Sequence, residues 1–275
     1  MTDFGNRAEM VFCTVSPRFE GERSTYGELS RTGNAPKQED TMPVSTKLTN
    51  TDEVLGWRRR FEDAAAARSR TPDPDWTRGA RLNSALVHSL QRFQVGEAGD
   101  GANLIRKAEQ AGDADYSAAA RLFIAEEKNH ARLLGLLLQA AGAPTITHHW
   151  SDAIFVTVRR AMGLRVELLV LMVAELVALR YYQALRDGTD DPLTAEVARR
   201  IHADEERHIP FHCDRLRKTS RTVIALWRVL VFGAAIIVAA DHGRALGTLG
   251  VRRRRFVADI LKESGKASAL IRSRW

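Results

Sequence analysis

Two Glu-x-x-His pairs occur in the chain, Glu127 with His130 and Glu205 with His208. On a helix, residues three apart share a face, so each pair can reach one metal ion. Thirty residues before each pair stands another glutamate, Glu97 before Glu127 and Glu175 before Glu205. The midpoints fall at Gly112, ahead of Asp113, and at Asp190, inside Asp-Gly-Thr-Asp-Asp at 187–191. In an antiparallel helical hairpin, residues equidistant from the turn lie side by side, here about 22 Å along the axis from it. The spacing therefore predicts Glu97 beside Glu127 and Glu175 beside Glu205. Each hairpin would carry one half of a two-metal site.

Four carboxylates and two imidazoles suit two mid-first-row metals, iron first and manganese as the other option. A structural zinc site would draw on cysteines, and the chain has only Cys13 and Cys213, which read as free thiols. Bridging glutamates would offset the cations' charge, and open coordination positions would let iron(II) bind and reduce dioxygen. Glu175 sits amid Met172, Val173, Ala174, Leu176 and Val177. A lone carboxylate there is costly unless paired or metal-bound. Glu167, two turns earlier, is its rival. Glu97 lies in Gly-Glu-Ala-Gly-Asp-Gly at 96–101. Either the helix is loosened there to admit substrate or oxygen, or Glu97 is in a loop.

A metal-bound histidine usually donates its other N–H to a carboxylate. Asp204 is expected to serve His130 across the hairpins and Glu126 to serve His208; the plain alternative is a surface acid pair. His212, one turn beyond His208, is a candidate third imidazole or a packed side chain. His202, three residues before Glu205, is a weaker candidate. Tyr181 and Tyr182 read as core aromatics.

The elements that would position these residues are helical. Almost no period-two strand pattern appears after Gly79. Helix 1 is expected over roughly Leu82–Gln110, and helix 2 from an N-cap at Asp113 to about Ala141. A crossover follows, with a short helical stretch near Ile154–Arg160. Helix 3, about Leu164–Arg186, is apolar nearly all round and so buried. Asp191-Pro192 reads as N-cap and first residue of helix 4, which Pro210 should kink or end. The expected fold is all-α: a four-helix bundle of two antiparallel hairpins joined by a crossover, with extra C-terminal helices. By residue number this gives a disordered leader at 1–50, a short helix and linker at 51–78, the di-metal bundle at 79–217 and a basic helical module at 218–275.

The 275 residues carry a net charge of +7, with 44% hydrophobic and 27% charged residues. That composition argues against a disordered, collagenous or many-span membrane chain. Residues 215–275 hold 14 Lys/Arg against 3 Asp/Glu, a net of +11, while residues 1–214 hold 27 against 31. The apolar stretch Val223–Ala240 has one charge, Arg228, and is flanked by arginines. It reads as a helix packed on the bundle or in a homodimer interface, as a monotopic contact with anionic lipid, or as a transmembrane span. The arginine run could also dock an acidic carrier protein. Without interleaved aromatics it does not favour nucleic acid. No secretory signal is visible, so the expected location is cytoplasmic, with peripheral attachment at a membrane as the second reading.

Glu97, Glu127-x-x-His130, Glu175 and Glu205-x-x-His208 resemble the ferritin-like di-iron carboxylate superfamily. Glu126-Glu127-Lys128-Asn129-His130 and Asp204-Glu205-Glu206-Arg207-His208 look like the paired motifs of its oxidase branch. The resemblance covers about residues 80–215. It implies two irons bridged by Glu127 and Glu205, with Glu97 and Glu175 terminal and one imidazole on each iron. Leu134 stands where reductase-type members carry a radical tyrosine. Ile201 stands where arylamine N-oxygenases carry an extra histidine. The expected activity is oxygen-dependent oxidation, by an oxidase, hydroxylase, N-oxygenase or desaturase, of an apolar small-molecule organic substrate, with an electron donor. The alternative is a ferroxidase or iron-handling bundle.

Overall fold

Asp113 and Asp191, the two aspartates read as helix caps, set the frame of the molecule. Asp113 accepts a hydrogen bond from Tyr116 N at 2.9 Å, and Asp191 accepts one from Thr194 N at 2.9 Å. Each satisfies a backbone donor that the first helical turn leaves unpaired. The structure, a computed structural model, describes residues 56–147 and 163–273. The leader expected at 1–50 and the helical stretch near 154–160 lie outside the described residues. So do His148 and His149.

The described residues contain α-helices and one 3₁₀ turn, with no strand. The α-helices are α1 (Trp57–Arg70), α2 (Ser84–Glu97), α3 (Ala102–Gln110), α4 (Ala114–Ala140), α5 (Leu164–Gly188), α6 (Pro192–Arg215), α7 (Arg221–Asp241), α8 (Gly243–Thr248) and α9 (Arg253–Arg272). The single helix expected over 82–110 is two helices. The break at 98–101 ends on Gly101, whose φ of +67° is left-handed. A Cβ at Gly101 would sit 2.5 Å from Ile124 Cδ1 on α4. Glycine alone meets both demands, and the turn that it makes lies against α4.

Pro210 does not end α6, which runs on to Arg215. The proline removes the donor that would have reached the carbonyl of Glu206. The turn at 189–191 joins α5 to α6, and the two helices pack together. α2 and α3 pack on α4, α4 lies across α6, and α1 covers α4. Leu90, Phe123, Leu134, Met172, Tyr181, Tyr182 and Val197 lie in the core and are fully buried.

The basic C-terminal helices pack onto this core rather than standing off from it. α9 lies on α6, α5 and α7, and α8 lies on α2. Trp227 of α7 donates its indole N–H to the Leu169 carbonyl at 2.7 Å. Among the described residues two helices are long and apolar enough to cross a membrane: α5, mostly buried within the protein, and α7, mostly exposed.

Asp191 does more than cap α6. Its Oδ2 also accepts from the Thr194 hydroxyl at 2.7 Å, and its Oδ1 accepts from Arg81 N at 3.2 Å, tying the entry of α2 to the entry of α6. Asp191→Ala is expected to cost about 2 kcal/mol, since it strands buried donors. Ser220→Ala, which removes the exposed cap of α7, is expected to cost about 0.5 kcal/mol. Urea unfolding of both variants checks the order; equal midpoints would contradict the tethering role of Asp191.

Candidate metal centre

Four helices each bring one glutamate to a common point. Glu97 is the last residue of α2, Glu127 lies mid-way along α4, Glu175 mid-way along α5 and Glu205 mid-way along α6. His130 and His208 follow one turn later on α4 and α6 and are fully buried. Two overlapping sets of donor atoms result, each within 4.8 Å: Glu97, Glu127, His130 and Glu205, and Glu127, Glu175, Glu205 and His208. Each set can hold a metal ion.

The shared members are Glu127 and Glu205. Glu127 Oε1 lies 3.5 Å from His130 Nδ1 and 3.3 Å from His208 Nδ1. Glu205 offers Oε1 at 3.4 Å to His130 Nδ1 and Oε2 at 3.5 Å to His208 Nδ1. Glu175 Oε2 is 3.2 Å from His208 Nδ1, and Glu97 Oε2 is 4.0 Å from His130 Nδ1. Both imidazoles thus point Nδ1 inward, at the carboxylates, and turn Nε2 outward.

Outward, each Nε2 meets an acid from the opposite hairpin. His130 Nε2 is 3.1 Å from Asp204 Oδ2, and His208 Nε2 is 2.9 Å from Glu126 Oε2. A proton shared there fixes the tautomer and leaves Nδ1 free as an electron-pair donor. Two arginines close the ring behind the acids. Arg68 of α1 donates to both Asp204 oxygens at 3.2 Å and to Glu126 Oε1 at 2.9 Å. Arg207 donates to Glu126 Oε1 at 3.0 Å and also to Asp204.

These arrangements set the protonation states. Burial pushes the carboxyl groups of Glu127 and Glu205 well above the usual range, and neighbouring glutamates add to it. Burial opposes ionised Glu175 too, but the hydrogen bond and charge of His208 outweigh it and hold that carboxyl low. Burial also opposes a charged His208, and its bonds to Glu126, Glu175 and Glu205 outweigh this and raise it well above normal. Without cations the centre is over-supplied with negative charge and takes up protons instead. Buried Glu127 Oε1, His130 Nδ1 and Glu205 Oε2, all facing the centre, have no hydrogen-bond partner among the described residues. The donor set and these unpartnered atoms fit metal ions bridged by two carboxylates.

The other candidates lie elsewhere or at the margin. Glu167 is fully buried but stands apart from the cluster. Its carboxylate accepts from Asn103 Nδ2, at 2.8 Å for the nearer oxygen, and pairs with Lys107 Nζ at 2.7 Å. It anchors α3 to α5, and its burial reflects that ion pair. His202 lies off the cluster, its Nδ1 3.4 Å from Arg186 Nη1. His212 Nε2 is 3.9 Å from Glu175 Oε1, and neither ring nitrogen has a hydrogen-bond partner among the described residues. Burial pushes the His212 imidazole down to about 4, so it is neutral.

Tyr182, read as a core aromatic, also touches the site. Its hydroxyl donates to Glu97 Oε1 at 2.7 Å. Burial and the Glu97 charge raise the phenol well above normal, keeping the donor proton in place. The signal was available, because Tyr182 follows Glu175 by two helical turns on the same face. Arg207 was visible inside its motif. Nothing in the spacing pointed to Arg68.

Two outcomes are expected. Glu127→Ala and Glu205→Ala should each lose most of the bound iron(II) or manganese(II), measured by metal analysis after anaerobic loading, whereas Glu167→Gln should keep it. Metal binding should also release protons, because the raised affinities of Glu127, Glu205 and His208 for protons oppose the deprotonated forms that ligation requires. Affinity should therefore fall as pH falls. Titration in weak buffer reads the release directly; its absence would contradict this charge balance. No protein-family model and no curated protein matches the chain, so the centre is defined by this geometry.

Proposed function

We propose that the chain is an oxygen-dependent di-iron oxidoreductase built on a ferritin-like four-helix core of α2, α4, α5 and α6. The observation that carries this reading is a cavity of about 700 Å³ that reaches Glu97, Glu127, Glu175 and Glu205. The rest of its wall is largely apolar and includes Phe93, Phe123, Ile124, Leu171, Val177 and Val238. Such a space suits an apolar organic substrate placed against the carboxylates. A path built only for iron would gain nothing from those walls, since a bare cation is poorly solvated by them.

Iron held in the centre would supply the reduction of dioxygen and the oxidising power for the substrate. The chain's own groups do the rest. Glu127 and Glu205 approach both histidines and are suited to span two ions. Glu97 and Glu175 each serve one side. Asp204 and Glu126 hold the Nε2 protons of His130 and His208, which aims both Nδ1 atoms at the centre. Tyr182 O–H orients Glu97, the acid on the last residue of its helix. Phe93, Phe123 and Leu171 exclude water from the cavity and shape the space that the substrate occupies. Keeping iron reduced between cycles would require an electron donor from outside the chain.

The decisive experiment is anaerobic loading with iron(II), a metal count and then exposure to dioxygen under rapid-scan spectroscopy. About two irons per chain and a transient near-ultraviolet or visible band that decays faster with a bound apolar substrate support the proposal. Fewer than one iron per chain would end it. Oxidation of iron with no transient band, leaving ferric product, would favour an iron-handling role.

A further inference from the structure

α7 shows two unlike faces. Ile224, Trp227, Val231, Ala235 and Ala239 form one stripe and are buried against the core. The opposite side carries Val223, Leu226, Val229, Leu230, Phe232, Ile236 and Ile237, all exposed, with Leu226 at 66% and Val229 at 68%. At about 100° per residue these seven span roughly half of the helix circumference. No cationic side chain falls within that arc, and Asp241, five turns after Val223, stands at its edge. A contiguous exposed apolar surface of this size marks an interaction site.

The charges lie at the edge and ends. Arg221 and Arg228, two turns apart, occupy one border of the arc. Lys218 precedes the helix and Arg244 follows it, and all four are exposed. None of the four has a carboxylate partner among the described residues. The helix has one acidic residue, Asp241, and Arg92 pairs with it at 2.7 Å. An apolar face bordered by unpaired cations of one sign is complementary to a bilayer with anionic headgroups, where acyl chains meet the face and phosphates meet the rim. A second copy of the chain would bring the same cations and no free acid of α7 to meet them.

We propose that α7 is a monotopic membrane-docking helix that lies flat in the headgroup region of an anionic leaflet. The proposal is independent of what the metal centre does. It does give the cavity a setting, because Ala234 and Val238 of α7 form part of the cavity wall. The helix that touches lipid on one side thus borders the reaction space on the other.

The test is co-sedimentation of the full chain with vesicles of phosphatidylglycerol and phosphatidylcholine in equal parts, and with phosphatidylcholine alone. Sedimentation velocity in the absence of lipid runs alongside. The expected result is binding to the anionic vesicles that weakens as salt rises and is much weaker on phosphatidylcholine alone. Leu226→Glu with Val229→Glu should reduce partitioning at least about tenfold, and Arg221→Gln with Arg228→Gln by a similar factor. Circular dichroism of these surface variants checks that the helices remain. Failure to bind anionic vesicles at low salt overturns the proposal. So does a stable dimer that Leu226→Glu with Val229→Glu dissociates while the wild-type chain ignores vesicles; the face would then belong to a second copy.

Discussion

Gathering four carboxylates inside an apolar bundle is the constraint on which the rest of the structure depends. Each ionised glutamate loses hydration that hydrocarbon neighbours cannot replace. Phe123 lies against His208, and Ile124, Leu171, Val173 and Val177 line the cavity at the glutamates with groups of that kind. The carboxylates can coexist only with positive charge among them. Two imidazoles supply part of it, protons supply more, and metal ions would supply the remainder. The core is therefore built for stability around a centre that is unfavourable alone. Cations placed among these carboxylates would offset that cost.

The surrounding charges obey the same logic at one remove. Asp204 and Glu126 add two more acids just behind the histidines, and Arg68 and Arg207 offset them. Positive and negative charge alternate outward from the centre. An arginine fork suits this position, because it can reach two carboxylates at once and does not give up its proton. Arg68 uses both of its terminal nitrogens in this way. Tyr182 plays a milder part on the opposite side, where a neutral donor suffices for Glu97.

Much of the helix order was legible in the sequence because helices obey simple periodicities and caps. The doubled thirty-residue interval singled out the glutamates and histidines that the fold brings together. Glu126 and Asp204 were legible because each stands one residue before the Glu and four before the His of its pair. What stayed hidden depended on non-local contacts. The break at 98–101 follows from Gly101 meeting Ile124, a contact that no window around the glycine contains. Glu167 stood as a rival to Glu175 because both are acids in one apolar helix, although the thirty-residue spacing favoured Glu175. The difference lies in Lys107, on a separate helix. In the C-terminal region α9 exposes Arg253, Arg254 and Arg255 and buries Phe256, Ile260, Ala267 and Ile271 together with Ser264 and Ser268.

Arg68 has a consequence for the order of assembly. It joins α1 to side chains 58 and 136 positions further along the chain. Contacts of that sequence separation carry a large loop-closure entropy and form after local hairpins have condensed. During synthesis α1 emerges first, yet its arginine finds no complete binding site until α6 has left the ribosome. The centre is therefore latched late. Until then Glu126 and Asp204 have only Arg207 of α6 as their outer cation.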